Sequence, residues 1–367
     1  MAQQGINPKQ IKSYNDTALL YLLSSEGTLS RKAISAKLGL TAAAVSKITK
    51  RLIDCEKIEE LGVSAEDSER VGRKEVLLSL KSADKFCLGI TAELDTVTYA
   101  LCDVSGKLIK SISYDFFDDT DLIVEKTKEF LHSCGELQGQ LIGIGLCVVG
   151  SVKKDVFGVW DNEALCTALE RELQLPVAIQ NNVKAYALAE LIFGDVSDVS
   201  SVLFFKWGNG IGSAVAVGGK LLLGTDYSLT EVGHYIVDPA GKRCRCGRFG
   251  CLETVASSNV ISAETGLSLD DVVESEDERI IHILEQKIDT VALALTNTAT
   301  ILNANKIVLF GKMFENSQIV EKLARQCARY NNNFKNNKIM RGDLSAKSAY
   351  IGAAAVCAQQ FFFTENE

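Results

Sequence analysis

The same order of short apolar strands and helices occurs twice in this chain of 367 residues. The first copy comprises three predicted strands, a helix and a closing strand, at Phe86–Ala92, Val97–Asp103, Lys107–Ser113, about Leu122–Ser133, and the segment LIGIGLCVVG that ends at Gly150. The second copy repeats that order at Ser201–Trp207, Ile211–Val217, Lys220–Leu223, a long helix near Glu285–Asn303, and the strand Lys306–Phe310. Two such units predict an α/β body of two lobes, over residues 81–367, with a cleft between the lobes.

A different pattern precedes this body. From Asn15, apolar residues recur at spacings of three and four over three short segments, which predicts three helices. Asn15 or Asp16 is the expected N-terminal cap of the first helix. Ser30 and Thr41 are the expected caps of the second and third helices, with Gly39 in the bend between them.

The third predicted helix has the features of a DNA recognition helix. Val45, Ile48 and Leu52 form one apolar stripe, which leaves small residues at the start of the opposite face and basic residues toward its end. Short side chains allow a helix to enter the major groove, while Lys and Arg contact the flanking phosphates. The candidate DNA contacts on this helix are Thr41, Ala43, Ser46, Lys47, Lys50 and Arg51. A three-helix scaffold with a merely soluble face is the alternative.

Two further predicted strands, over residues 57–61 and 75–80, enclose the polar loop GVSAEDSERVGRK. A helix, turn, helix and wing in this order predict a winged helix-turn-helix over residues 1–80, with Arg73 and Lys74 of the loop contacting a minor groove or phosphates. Residues 1–80 hold 12 Lys and Arg against 10 Asp and Glu, whereas the remainder holds 27 against 37. The acidic body repels nucleic acid, so any DNA contact is expected within the first 80 residues.

The segment EVGHYIVDPAGKRCRCGRFGCLE, from Glu231 to Glu253, indicates a metal site. His234, Cys244, Cys246 and Cys251 are four ligands of the types that zinc prefers in a closed tetrahedral site, and glycines between them supply the bends of a short loop. A reduced cysteine cluster and a redox pair are the alternatives. Four protein ligands leave no open position, so we expect a structural zinc.

The rest of the composition indicates a cytoplasmic protein. Eight of the 11 cysteines are scattered among apolar or helical stretches, so we expect them to be reduced and buried or inert. No apolar run approaches the roughly 18 residues that span a bilayer, and the first residues lack a secretion pattern. We therefore expect no membrane association.

These motifs together resemble the ROK family of repressors, open reading frames and sugar kinases. The resemblance covers nearly the whole chain and rests on LIGIGLCVVG, PVAIQNNVKAYALAELIFG, WGNGIGSAV, the cysteine loop and AYIGAAAV. Members with an N-terminal winged helix are similar to the xylose and N-acetylglucosamine repressors. The family implies an actin-like ATPase (RNase H-like) fold, dimers or tetramers, and a sugar in the interlobe cleft.

Compared with the sugar kinases of that family, the chain departs at the residues that catalysis needs. The first glycine turn, Asp-x-Gly-Gly-Thr in the kinases, is replaced by GITAEL, where Ala92 and Glu93 would crowd or repel a phosphate. The catalytic Asp of the family motif aligns with Asn182, and a carboxamide is not a base at neutral pH. We therefore expect no enzymatic activity.

By the same resemblance, one group of residues faces the sugar hydroxyls: Gly150, Asn181, Asn182, Glu231, His234 and Glu253. Alternatively, Glu231 and Glu253 orient the cysteine loop and Asn181-Asn182 form a turn.

The resulting hypothesis is a homodimeric or homotetrameric repressor of carbohydrate-related genes that binds operator DNA and responds to a sugar or sugar phosphate. An active sugar kinase with a vestigial DNA-binding module, and a scaffold that binds only proteins, are the rival interpretations.

Overall fold

The computed structural model describes residues 7–63, 75–150, 152, 160–196, 199–224, 229–334 and 339–364. The N-terminal unit contains three helices and three strands, namely α1 (Pro8–Glu26), β1 (Leu29–Ser30), α2 (Arg31–Leu38), α3 (Ala42–Asp54), β2 (Ile58–Val63) and β3 (Val76–Leu80). Strand β3 pairs antiparallel with β1 on one side and with β2 on the other. This arrangement is a winged helix-turn-helix, as the sequence predicts.

Two of the three predicted helix caps are confirmed. The Ser30 side chain accepts a hydrogen bond from the amide of Ala33, and Thr41 accepts one from Ala44. The backbone at Gly39 has φ 65°, the left-handed conformation that glycine adopts readily. The prediction for the first helix was wrong, because α1 begins at Pro8 and includes both Asn15 and Asp16. Proline favours the first helical turn, since its ring fixes φ near the helical value.

The body contains two lobes. The first lobe comprises β4 (Phe86–Ala92), β5 (Thr96–Asp103), β6 (Leu108–Asp115), α4 (Thr120–His132), β7 (Leu141–Val148), α5 (Asn162–Leu173), β8 (Val177–Asn181) and α6 (Asn182–Phe193). The second comprises β9 (Ser201–Trp207), β10 (Ile211–Val217), β11 (Lys220–Leu221), α7 (Leu252–Ala256), α8 (Ser258–Thr265), α9 (Leu269–Glu274), α10 (Glu278–Leu302), β12 (Lys306–Phe310), α11 (Ser317–Tyr330) and β13 (Ile339–Arg341). Helix α12 (Ile351–Ala358) and a π-helical turn (Gln359–Phe363) follow.

The two sheets have the same topology, which confirms the internal repeat. Their strand orders are β6-β5-β4-β7-β8 and β11-β10-β9-β12-β13. In each sheet the first three strands form an antiparallel meander, and the last two run parallel to the first. The predicted long helix is longer than expected, because α10 begins at Glu278 with Asp277 as its cap.

Helices α6 and α12 lie together between the sheets. Helix α12 packs on β4 and β7, while α6 packs on β9 and β10, and the two helices contact each other. The approach of α12 is so close that a Cβ atom on Gly145 would lie 1.9 Å from the carbonyl oxygen of Ala353. Glycine is therefore required at this position of β7.

The winged helix packs directly against the end of the body. The buried residues of both belong to one continuous hydrophobic cluster, which includes Leu19 and Leu20 of α1 and Phe362 and Phe363 of the π-helical turn. The ring of Tyr21 meets that of Phe363 edge-on, with centroids 5.3 Å apart. No helix within the described ranges combines the length and apolarity needed to cross a membrane.

Candidate DNA-binding surface and ligand cleft

The exposed face of α3 carries most of the candidate DNA contacts. Val45, Ile48 and Leu52 are buried in the winged-helix core, as predicted. The opposite face is exposed at Thr41, Ala43, Ser46, Lys47 and Lys50. Within the described part of the chain, neither lysine pairs with a carboxylate, so both ammonium groups remain available to phosphates.

Arg51, the sixth candidate on this helix, is held by α1 instead. Its guanidinium forms two hydrogen bonds with the carboxylate of Asp16, one of them 2.9 Å from Nε to Oδ2. The side chain of Asp16 is only 3% exposed. A buried carboxylate needs a paired cation, so this ion pair competes with any contact of Arg51 with DNA. Arg73 and Lys74 of the wing lie outside the described residues.

The six residues expected to face a sugar come together in one cleft between the lobes. The lining of this cleft includes Gly150, Asn181, Asn182, Glu231, His234 and Glu253. It also includes three charged side chains that the sequence analysis did not assign to a sugar site, namely Glu93, Lys206 and Arg245. The free volume is about 70 Å³, well below the roughly 300–1,000 Å³ of typical ligand pockets. A sugar can therefore enter only if side chains or lobes move.

Asn181 positions the cleft rather than presenting a free amide to it. Its Oδ1 accepts hydrogen bonds from the amides of Val183 and Lys184, which caps α6. Its Nδ2 donates to the carbonyl oxygen of Gly150 at 2.9 Å. The amide of Asn181 thus links the start of α6 to Gly150, just after β7. Asn181 ends β8 and Asn182 begins α6, so the pair forms a helix cap and not a separate turn.

Asn182 occupies the first position of α6 and contacts the turn that follows β4 in the same lobe. Its Nδ2 donates to Oε1 of Glu93 at 3.0 Å. The other carboxylate oxygen of Glu93 accepts a hydrogen bond from Nζ of Lys206. Because Glu93 follows β4 and Lys206 lies on β9, this ion pair joins the two lobes.

The remaining two acids of the cleft are paired as well. Nζ of Lys184 lies 3.3 Å from Oε1 of Glu231, and the lysine side chain is only 1% exposed. Arg245 lies 3.3 Å from Oε1 of Glu253, whose other oxygen accepts a hydrogen bond from the amide of Ile211. Burial raises the pKa of Glu231, while the nearby ammonium of Lys184 opposes that rise. In the sequence, Lys184 is distinguished only as the single charged residue in the first half of α6.

The histidine and the three cysteines of the loop converge as their spacing predicts. The ligand atoms of His234, Cys244, Cys246 and Cys251 all lie within 4.8 Å of one another. Sγ of Cys244 is 3.5 Å from Nδ1 of His234, and Sγ of Cys246 is 3.4 Å from Sγ of Cys251. Zinc–sulfur bonds of about 2.3 Å in a tetrahedron place sulfur atoms about 3.8 Å apart, so this donor set fits zinc.

His234 belongs to both the metal site and the cleft. Its Nδ1 faces Cys244, and the same residue lines the cleft beside Glu231 and Glu253. Burial lowers the pKa of His234, which favours the neutral imidazole that a metal ligand requires.

The glycines of the loop permit its tight course. Gly247 and Gly250 have φ values of 83° and 63°. A Cβ atom on Gly250 would lie 1.5 Å from the carbonyl oxygen of Asp238. A side chain at this position would therefore force the loop apart and displace the cysteine that follows.

The other cysteines are free of disulfides, and five of the eight are buried: Cys87, Cys102, Cys147, Cys327 and Cys357. Cys134 and Cys166 are half-buried. Burial raises the pKa of the Cys327 thiol to about 11, so it is protonated and inert at neutral pH. Cys55 is exposed, so burial does not protect its thiol.

Comparison with known proteins agrees with both parts of the fold. The model of the ROK family matches residues 87–360, and a model described as winged helix-turn-helix DNA-binding matches residues 12–59. The DNA-binding transcriptional dual regulator NagC of Escherichia coli K12 is 25% identical over 95% of this chain and 93% of its own length. The xylose repressor of Bacillus subtilis 168 is 25% identical over 84% of this chain and 85% of its own length.

Solved structures show the same architecture. A crystal structure of a ROK family transcriptional regulator, described as a homolog of the E. coli MLC protein, superposes with a TM-score of 0.77 at 25% identity. It covers 96% of this chain and 97% of its own. A ROK hexokinase from Thermus thermophilus superposes with a TM-score of 0.63 at 22% identity, over 75% of this chain and 98% of its own, and shares the fold.

Proposed function

Because the chain belongs to the ROK family and begins with a winged helix-turn-helix, we propose that it is a transcription regulator that binds operator DNA and responds to a sugar. The observation that carries this proposal is the exposed face of α3, where Lys47 and Lys50 lie beside small residues and pair with no carboxylate of the described residues. The similarity to NagC and to the xylose repressor supports repression of carbohydrate-related genes.

In this proposal residues 1–80 form the DNA-binding domain and residues 81–367 the sugar-responsive domain. Candidate DNA contacts are Thr41, Ala43, Ser46, Lys47 and Lys50, with Arg73 and Lys74 from the wing. Arg51 is the weakest candidate, because Asp16 already holds its guanidinium. Two copies of the chain would present two recognition helices to neighbouring half-sites, since one small module binds too weakly to select a site in a genome.

The experiment for this function is a search for specific DNA followed by a lysine substitution. Operator sequences are selected from genomic fragments by mobility shift, and affinities are then measured over a range of salt concentrations. Lys47→Ala should weaken binding and reduce the salt slope by about one unit, because one phosphate contact is lost. Lys107→Ala, which removes an exposed lysine of the body, is the control. Equal affinity for every DNA sequence tested would contradict the proposal.

Within the body we propose that Asn182, Glu231, His234 and Glu253 contact the sugar, while Asn181 and Gly150 position Asn182. Glu231 and Glu253 offer carboxylate oxygens to hydroxyl groups, and Asn182 offers an amide. The small free volume of the cleft supports a role in regulation, because a ligand that moved the lobes on entry would change their relative position. We do not propose catalysis, since the position of the general base holds an amide.

We further propose that His234, Cys244, Cys246 and Cys251 hold a zinc ion. Zinc with four protein ligands would supply structural stability and no catalytic chemistry. With zinc bound, the loop would position two lining residues of the cleft. His234 is itself a ligand, and Glu253 follows the ligand Cys251 by two positions.

A further inference from the structure

Two turns face each other across the cleft, one from each lobe. The turn between β4 and β5 contains Glu93, Leu94 and Asp95, and the turn between β9 and β10 contains Asn209. Besides the ion pair of Glu93 with Lys206, Nδ2 of Asn209 donates to Oδ2 of Asp95 at 2.7 Å. The side chains of the first turn thus bind directly to the second lobe.

The two donors that hold Glu93 form an anion-binding position. Nδ2 of Asn182 and Nζ of Lys206 each donate to a different oxygen of the same carboxylate. An amide and an ammonium group that converge in this way would bind two oxygens of a phosphate equally well, since charge-assisted hydrogen bonds to either anion have similar geometry. The side chain of Lys206 is only 14% exposed, so its charge requires a partner.

We propose that Glu93 is a specificity-determining residue: its tethered carboxylate occupies the phosphate position between Asn182 and Lys206, so that the cleft accepts an uncharged sugar and rejects phosphorylated ligands. This inference rests on the proposed function for the sugar itself. Of the two effector classes that the sequence left open, a sugar and a sugar phosphate, it selects the uncharged sugar.

The charges of the whole cleft support this assignment. The other two cations among the described lining and supporting residues are also paired, Lys184 with Glu231 and Arg245 with Glu253. Among the described residues, a phosphate would therefore enter beside carboxylates and meet no uncommitted cation, and repulsion between like charges in a partly buried site is strong. An uncharged sugar avoids this repulsion and can donate hydroxyl hydrogens to the same carboxylates.

The test measures binding of inorganic phosphate and of ATP to the full-length protein by calorimetry in a phosphate-free buffer. The wild type should give no saturable binding. Glu93→Gln should gain phosphate affinity by about tenfold or more, because it removes one negative charge and releases Lys206. The double variant Glu93→Gln with Lys206→Met should lose that gain.

Glu264→Gln is the matched control. Glu264 is paired with Lys287, whose side chain is 12% exposed, but the pair lies on α8 and α10 away from the cleft. This variant should bind phosphate no better than the wild type. Thermal melting of each variant establishes that it is folded. Equal phosphate binding by the wild type and Glu93→Gln, whether both bind or neither does, would overturn the proposal.

A second arm separates this inference from the proposed function. Thermal shifts of the wild type are recorded with a panel of hexoses and pentoses and with the phosphate ester of each. A shift with a free sugar and none with its ester supports the inference, and a larger shift with the ester overturns it. If DNA binding fails while Glu93→Gln still gains phosphate affinity, the proposed regulator is wrong and the role of Glu93 stands.

Discussion

Asn182, which the resemblance to the sugar kinases aligns with their base, binds another residue of the cleft. Its Nδ2 donates to Glu93, which also pairs with Lys206. Replacing Asn182 with Asp would supply a carboxylate but would place it beside Glu93 and remove this hydrogen bond. The turn of Glu93 would still lack the bare backbone amides that bind ATP phosphates.

We therefore expect no ATP-dependent phosphorylation from the wild type and none from Asn182→Asp. The measurement is a coupled assay with ATP and a panel of hexoses, in which a ROK hexokinase is the positive control. A single positioned base typically contributes a factor of about 10²–10⁴, which is insufficient without nucleotide binding. Turnover of about 1–100 s⁻¹ in the wild type, as in ordinary kinases, would establish the rival kinase function.

For single residues, the sequence predicts contacts between residues that are close in the chain. It misses contacts that depend on how the helices and lobes pack. The zinc ligands share a short loop, so their spacing alone indicates that they converge. The pairs Arg51–Asp16 and Lys206–Glu93 join residues 35 and 113 positions apart. The sequence around either basic residue does not indicate its partner, because the pairing depends on how the helices and lobes pack.

Among the elements, the loop from His234 to Cys251 is the one that the proposed zinc ion would stabilise. Its regular structure comprises one short 3₁₀ turn at Val232–His234 and two isolated β-bridges. Backbone hydrogen bonds such as those from the amides of Val237 and Asp238 to the carbonyl oxygen of Gly250 hold its two arms together, and a bound ion would add a further constraint through the four converging ligands.

Substitution of one ligand should remove the metal. We expect the purified protein to contain about one zinc ion per chain, by elemental analysis, and Cys246→Ser to contain almost none. The melting temperature should fall at the same time, by about 2–4 °C for each kcal/mol lost. Cys55→Ser, at an exposed cysteine of the winged helix, should retain the zinc. Full zinc content in Cys246→Ser would exclude the proposed ligand set.

The strands and helices themselves are the best predicted elements. Strands β4, β9, β10 and β12 have the bounds that the sequence predicts. The largest errors in the predicted bounds occur at helix starts, where α1 and α10 begin seven residues before the expected residue. The apolar pattern is weak near both starts, where Ile11 and Lys12 of α1 and Glu278 and Arg279 of α10 are exposed. In the link to the wing, Glu56 takes the positive φ of 54° that a glycine commonly supplies.

In the whole molecule, a continuous set of contacts leads from the cleft to the DNA-binding unit. Asn182 is the first residue of α6, α6 packs on α12, and the π-helical turn after α12 packs on α1. Thr17 of α1 donates to the carbonyl oxygen of Phe363, and Nζ of Lys57 donates to that of Thr364. Movement of the lobes can thus reach the winged helix through the end of the chain, through the direct packing of α6 on α1, or through the contact of Tyr14 with Lys220.

Phe363→Ala should therefore loosen the winged helix from the body. Phe363 is 1% exposed and packs against Tyr21, so its truncation removes buried apolar contact from the junction. Hydrogen exchange followed by mass spectrometry should show amides of α1 exchanging about tenfold faster or more, while those of β12 are unchanged. Phe249→Ala removes the same ring from a 53% exposed position and should leave α1 protected. Phe363→Ala should also reduce the effect of a bound sugar on operator affinity, because coupling between two sites requires a shared element. Unchanged exchange in α1 would mean that the winged helix does not depend on this contact, and that a signal from the cleft must reach DNA by another path.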